Sequence, residues 1–206
     1  MFHLFLKTQI VVHASVFNRY FLDTVIVIPI ANPQLGSEER AAVERVLCSG
    51  MIAQGPEVAN FEDEFAELCG VKHAIATSNG TTAGHLTMLA NDIGPGDEVI
   101  TTPFTFFATA SVIMMAGAKP VFVDVEEDGF CLDPEQVRQG ITENTKAIQP
   151  VHLYGELANI PPLTEIAEKH NLILIEDSAQ AHNAQSWRGK AGSFGDTGWF
   201  SFYPTK

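Results

Sequence analysis

Basic residues are scarce in this chain: 12 Lys plus Arg stand against 25 Asp plus Glu in 206 residues, a net charge of −13. A surface of that sign argues against nucleic acid or an anionic membrane as the main partner and fits an acidic, soluble enzyme. Cysteine is scarce too. Cys48, Cys69 and Cys131 are an odd set without CxxC spacing, which excludes a disulfide framework and a CxxC metal or redox pair and makes a reducing cytoplasm the default compartment. No stretch approaches the ~20 apolar residues of a membrane helix. Familiar signatures are missing as well. No GxGxxG follows a strand signal, Gly189-Lys190 lacks the upstream glycine of a P-loop, Ser193 has no glycine two positions before it, and HExxH is absent. Rossmann dehydrogenases, P-loop ATPases, α/β-hydrolases and zincins lose their principal support, and no metal site is expected.

What is present is a globular balance, 46% hydrophobic and 18% charged, at a length that suits one large domain with a short appendage. Residues 1–27 are the appendage. They are apolar but interrupted by Lys7, His13, Arg19 and Asp23, so they read as neither signal peptide nor anchor, and the composition changes abruptly near Ile28. A leader of this kind, non-native or a functional extension, is expected to be separate from a domain running over 28–206.

From Ile28 onward helix and strand signals alternate. Helices are predicted over 37–50, with Ser37 as N-cap and Gly50 as stop, over 56–70, with Pro56 at the first helical position, and from Thr81 to about Asn91. Further helices are expected at Phe106–Ala116, Pro134–Gly140 and Pro162–His170. Strands are predicted at 73–78, 98–102, 120–125, 147–152, 172–177 and 198–202. The strands are continuous apolar runs rather than alternating ones, which predicts an α/β fold with a mostly parallel sheet and helices on both faces. Ligands in such sheets collect beyond the carboxyl ends of the strands. That directs attention to Ser78 through Thr82, Thr102 through Phe106, His152, and the pair Glu176 and Asp177.

Two motifs stand out there. SNGTTAG (78–84) is a small-residue turn opening a helix. It is either a plain helix cap or a phosphate cradle of free amides and two hydroxyls, and spacing alone favours the cap. EDSAQAHNA (176–184) follows the most apolar strand. Neighbouring strand residues face opposite ways, so Glu176 and Asp177 cannot serve one ligand and one of them holds the scaffold. Gln180 and His182 either come round to the same cleft or close a polar loop. Gly189, Gly192, Gly195 and Gly198, one every three residues, read as a loop with close backbone approach.

The segments GPEVANFEDEFA, SNGTTA, GPGDEVITTPFTFFATA, GAKPVFVDV, VHLYG, IEDSAQAH and FGDTGWFSFYPTK, in this order, resemble the DegT/DnrJ/StrS family of pyridoxal-phosphate-dependent sugar aminotransferases from about Ile28 to Lys206. The resemblance implies the large cofactor-binding domain of the aspartate-aminotransferase-like fold. Position by position, it implies that Lys206 binds pyridoxal 5'-phosphate covalently, that Asp177 pairs with the pyridine nitrogen, and that Gln180 lies near the phenolic oxygen. It also implies that Phe106 stacks on the ring and that Thr81, Thr82 and Ser201 contact the phosphate. His152 and His182 match family positions without an assigned role. These roles make chemical sense: a buried carboxylate keeps the ring nitrogen protonated, and a lysine amine serves both as covalent anchor and as proton carrier. Gly84, Asn183 and Asn159 depart from the Leu, Gly and Asp common in relatives, which also continue beyond the lysine into a small C-terminal domain, so the resemblance implies a domain incomplete at its C-terminus.

The implied reaction is amino transfer from an amino acid, glutamate or glutamine, to a nucleotide-linked keto sugar in polysaccharide or aminosugar biosynthesis, by a cytoplasmic homodimer. A silent fragment or regulatory relative that keeps the fold is the alternative. A sugar 3-dehydratase ranks lower, because such relatives carry His where this chain has Lys206.

Overall fold

The structure, a computed structural model, describes residue 29 and residues 31–206. The leader assigned to residues 1–27 lies outside the described residues. Helix signals at the front of the chain form as spaced. α1 (Ser37–Ser49) and α2 (Pro56–Cys69) end on Gly50 and Gly70, both left-handed at φ 71° and 75°, a conformation that glycine adopts without strain. Gly36, not Ser37, occupies the first cap. The Glu39 carboxylate reaches back to accept the Gly36 amide at 2.6 Å, so the cap is supplied from inside the helix.

The remaining elements are α3 (Gly80–Ala90), β1 (Glu98–Thr101), α4 (Ala108–Met115), β2 (Lys119–Phe122), α5 (Pro134–Gly140), β3 (Thr145–Ile148), α6 (Ile160–His170), β4 (Ile173–Asp177), the short hairpin β5 (Gln185–Ser186) and β6 (Gly189–Lys190), and β7 (Thr197–Trp199). β2, β1, β3, β4 and β7 form one sheet in that spatial order, every neighbouring pair parallel. Both faces are covered, as the unbroken apolar strands require. Val99, Ala147 and Ile175 face one way and pack with Met88 of α3 and Val112 and Ile113 of α4. Ile100, Ile148 and Leu174 face the other way, against Val137 of α5 and Leu163 and Ile166 of α6. Each of the buried Val, Ile, Leu and Met side chains contributes about 1.5–3 kcal/mol of transfer free energy.

Several predicted boundaries move. Residues 73–78 do not form a strand, and Ile75 is 78% exposed. An apolar run becomes a strand only where a neighbour pairs with it, and no described segment does so. The Ala76 amide instead donates to the Glu62 carboxylate at 2.7 Å. The strand predicted at 147–152 stops at Ile148, because Pro150 has no amide for the ladder, and resumes as a single bridge between Val151 and Asp177. The strand predicted at 120–125 ends at Phe122, and α4 begins at Ala108 rather than Phe106. β7 leaves the ladder after Trp199, so the FSFYPTK segment runs free of the sheet.

Candidate active site

The crossover from β1 to β2 runs one way along the sheet and that from β3 to β4 the other, which puts the topological switch point between β1 and β3, and ligands in such sheets collect beyond the carboxyl ends of the strands there. A cavity of about 1100 Å³ occupies this end of the sheet. Its walls include Thr105, Phe106, Asp177 and Gln180 from the strand ends, Gly80 and Thr81 at the start of α3, and Ser201 and Lys206 after β7. Of the seven positions to which the resemblance gives a role, only Thr82 is not on the wall. Its amide and hydroxyl turn back to the Asn79 side chain at 2.9 and 3.2 Å, making Asn79 the N-cap of α3. Cap and cradle are therefore not alternatives: Thr82 serves the cap, while Gly80 and Thr81 open the helix with amides that have no intrahelical acceptor.

Gly80 is required for this arrangement. A Cβ there would stand 2.7 Å from the Ser201 Cβ, so only glycine lets the Ser201 segment lie against the start of α3. The outcome is a small-residue concavity with helix amides and a hydroxyl at one end of the cavity, suited to an anion.

Glu176 and Asp177 point to opposite faces, as strand geometry demands, and have opposite surroundings. Glu176 is fully buried and accepts the amides of Gly192 at 2.8 Å, Phe194 at 2.6 Å and Gly195 at 2.8 Å. His152 completes the set. Its Nδ1 accepts the Ala158 amide at 3.0 Å, so the proton sits on Nε2, which donates to Glu176 at 2.8 Å. Glu176 and His152 thus form a structural clamp on the loop that leads to β7. The glycine run does approach closely: a Cβ on Gly195 would lie 2.4 Å from the Leu174 carbonyl oxygen.

Asp177 is 2% exposed and accepts only the Thr109 hydroxyl at 2.6 Å and the Ala179 amide at 3.2 Å. Among the described residues it makes no ion pair. Burial pushes its carboxyl up to about 6, against the opposing pull of the Thr109 hydroxyl, the Ala179 amide, His152 and Lys206. A buried carboxylate facing a cavity and lacking a cation is a place where a cationic ring nitrogen fits. Lys206 Nζ lies 5.7 Å from the ring centroid of Phe106, a residue 66% exposed on the wall. Gln180 accepts the Tyr154 amide at 3.2 Å.

His182 does not line the cavity. Its ring packs on Phe200 and Phe202, and burial, with the Lys206 charge beside it, pushes its basicity down. Asn183, next to it, is left-handed at φ 58°, a conformation that asparagine tolerates better than most residues and glycine adopts without strain. Thr109 was not singled out from the sequence, and Asn79 was marked only as part of the 78–82 turn, not as the cap. The signal for Thr109 was there, a hydroxyl one helical turn after Thr105. Among the described residues no cluster of His, Cys, Asp or Glu could hold a metal ion, and no helix is long and apolar enough to cross a membrane.

A model of the DegT/DnrJ/EryC1/StrS aminotransferase family matches residues 33–206. GDP-perosamine synthase of Caulobacter vibrioides is 46% identical over 181 residues, which are 87% of this chain and 48% of that protein. The pleiotropic regulatory protein of Geobacillus stearothermophilus is 47% identical over 174 residues, 84% of this chain and 46% of its own. Among solved structures, a protein assigned as a sugar aminotransferase from Streptococcus pneumoniae, in its PLP form, superposes with a TM-score of 0.84 at 31% identity, covering 87% of this chain and 50% of that one. The chain spans about half the length of the curated relatives it matches.

Proposed function

This chain belongs to the DegT/DnrJ/EryC1/StrS aminotransferase family, and from that premise we propose that it carries the cofactor-binding residues of an enzyme that transfers an amino group from glutamate or glutamine to a nucleotide-linked keto sugar. The family works with pyridoxal phosphate. The observation that carries the reading is Asp177, a buried carboxylate without an ion pair among the described residues, on the wall of the cavity that also holds Lys206. GDP-perosamine synthase among the relatives supports a nucleotide sugar as acceptor.

When bound, pyridoxal phosphate supplies an aldehyde that takes up an amino group and a ring that withdraws electrons. Asp177 would hold a proton at the ring nitrogen by charge pairing. Lys206 would provide the amine that anchors the cofactor and carry a proton to and from the reacting carbon. Phe106 would offer an aromatic face to the ring and Gln180 a polar group at its edge. The amides of Gly80 and Thr81 with the Ser201 hydroxyl bind the phosphate, and Thr82 acts through the cap. The working enzyme is a cytoplasmic homodimer.

The regulatory reading has one observation in its favour, the 47% identity to a pleiotropic regulatory protein. Titration with pyridoxal phosphate, followed by addition of glutamate, separates the two. An absorbance band for the covalently bound cofactor that shifts on adding glutamate supports the enzyme. A bound cofactor that glutamate leaves unchanged supports the regulator.

A further inference from the structure

Thr109 has no task in the reading above, yet it makes the shortest contact to Asp177. Its side chain is 1% exposed, in the first turn of α4, and its hydroxyl lies 2.6 Å from Asp177 Oδ2. Thr105 Oγ1 stands 2.8 Å from Thr109 Oγ1 and lies on the cavity wall. A hydroxyl has one proton. Since Thr109 spends its proton on the carboxylate, Thr105 must be the donor to Thr109, giving a directed chain from Thr105 through Thr109 to Asp177. The backbone of Thr109 is fixed as well, because the buried Gln149 side chain donates to its carbonyl oxygen at 3.0 Å. Asp177 Oδ1 is taken by the Ala179 amide, so both carboxylate oxygens are held from the protein side, with lone pairs left over for a cationic ligand.

We propose that Thr109, fed by Thr105, is a positioning residue that sets the orientation and the ionisation of Asp177. The inference rests on the proposed function for its meaning in catalysis. A hydroxyl donating to the ionised form stabilises that form, which opposes the desolvation that burial imposes. Besides Thr109 and Ala179, the charged or titratable groups acting on Asp177 are His152 and Lys206, both of which also favour the carboxylate. Glu176 points to the other face of the sheet.

The test uses cofactor-free protein labelled with carboxyl-13C aspartate, with Asp177→Asn identifying the resonance. Thr109→Val, which keeps the shape and removes the hydroxyl, is expected to move the titration midpoint of Asp177 upward from about 6 by about one pH unit. Thr109→Ser restores it. Pyridoxal phosphate should bind about tenfold more weakly to the Val variant and normally to the Ser variant. A midpoint unmoved in Thr109→Val overturns the inference. A moved midpoint with unchanged affinity for pyridoxal phosphate supports the inference and contradicts the role given to Asp177 above. Should Thr109→Val fail to fold, Thr105→Val probes the same chain from the cavity wall. It should raise the midpoint by a smaller step, and no movement there overturns the inference.

Discussion

The two faces of the sheet at the end of β4 carry one carboxylate each, adjacent in sequence and equally buried. On one face Glu176 accepts three backbone amides and a histidine, so its charge is fully compensated by hydrogen bonds. On the other face Asp177 has one hydroxyl and one amide, and its carboxyl is pushed up to about 6. Burial alone does not distinguish a structural charge from a working one; the degree of satisfaction does. A satisfied buried carboxylate locks a loop, whereas an under-compensated one beside a cavity stores the electrostatic cost that a cationic ligand relieves.

The comparison breaks most visibly at Glu176. Glu176→Ala leaves four donors without their acceptor and should destabilise the fold by about 3–5 kcal/mol, measured by urea unfolding. A change under about 1 kcal/mol would mean that the clamp is ornamental and the contrast false.

Next in size is catalysis. Under the proposed function, Asp177→Asn should lower amino transfer about 100-fold to 1000-fold, because the cofactor's ring nitrogen would lose its ion-pair partner, about 3–4 kcal/mol at 1.36 kcal/mol per tenfold. Glu176→Gln, corrected for folded fraction, should change it far less. Equal, mild losses in the two variants would contradict the division of labour.

The same Asp177→Asn change should act with the opposite sign on the cofactor-free fold. The folded chain holds the Asp177 proton more tightly than the unfolded chain does, about 6 against 3.8. The stability this contributes is complete below about pH 4, falls as pH rises through about 6 and stays lost above it. Two pH units correspond to a cost of at most about 3 kcal/mol at neutral pH. Asp177→Asn should therefore raise the thermal midpoint of the cofactor-free protein at pH 7.5 and flatten its decline between pH 4 and 6. A lowered midpoint at pH 7.5 would show that the carboxylate is better compensated than its two hydrogen bonds indicate.

The alternation of faces at 176 and 177 was legible because strand side chains alternate with period two, and the α/β class was legible because strands covered on both sides need no polar face. Which carboxylate holds the scaffold was not legible in the local pattern; only the family resemblance, by giving Asp177 to the ring nitrogen, left Glu176 to the scaffold. The partners of Glu176 come from Gly192, Phe194 and Gly195, and nothing local announces that this loop folds back on β4. His152 is the same case, its role settled by the Ala158 amide on one nitrogen and Glu176 on the other. The expected strand at 73–78 failed because pairing is a property of neighbours, and local apolarity cannot supply one. Thr81 and Thr82 look equivalent in sequence, but helical geometry turns Thr82 back to Asn79 and leaves Thr81 on the wall.

The central claim is that the cavity beside Asp177 binds pyridoxal phosphate through Lys206. Borohydride reduction of cofactor-loaded protein followed by peptide mapping tests it directly. The account predicts a phosphopyridoxyl group on Lys206, lost in Lys206→Arg. Label on Lys190 or Lys146 instead, or label that survives Lys206→Arg, would contradict it.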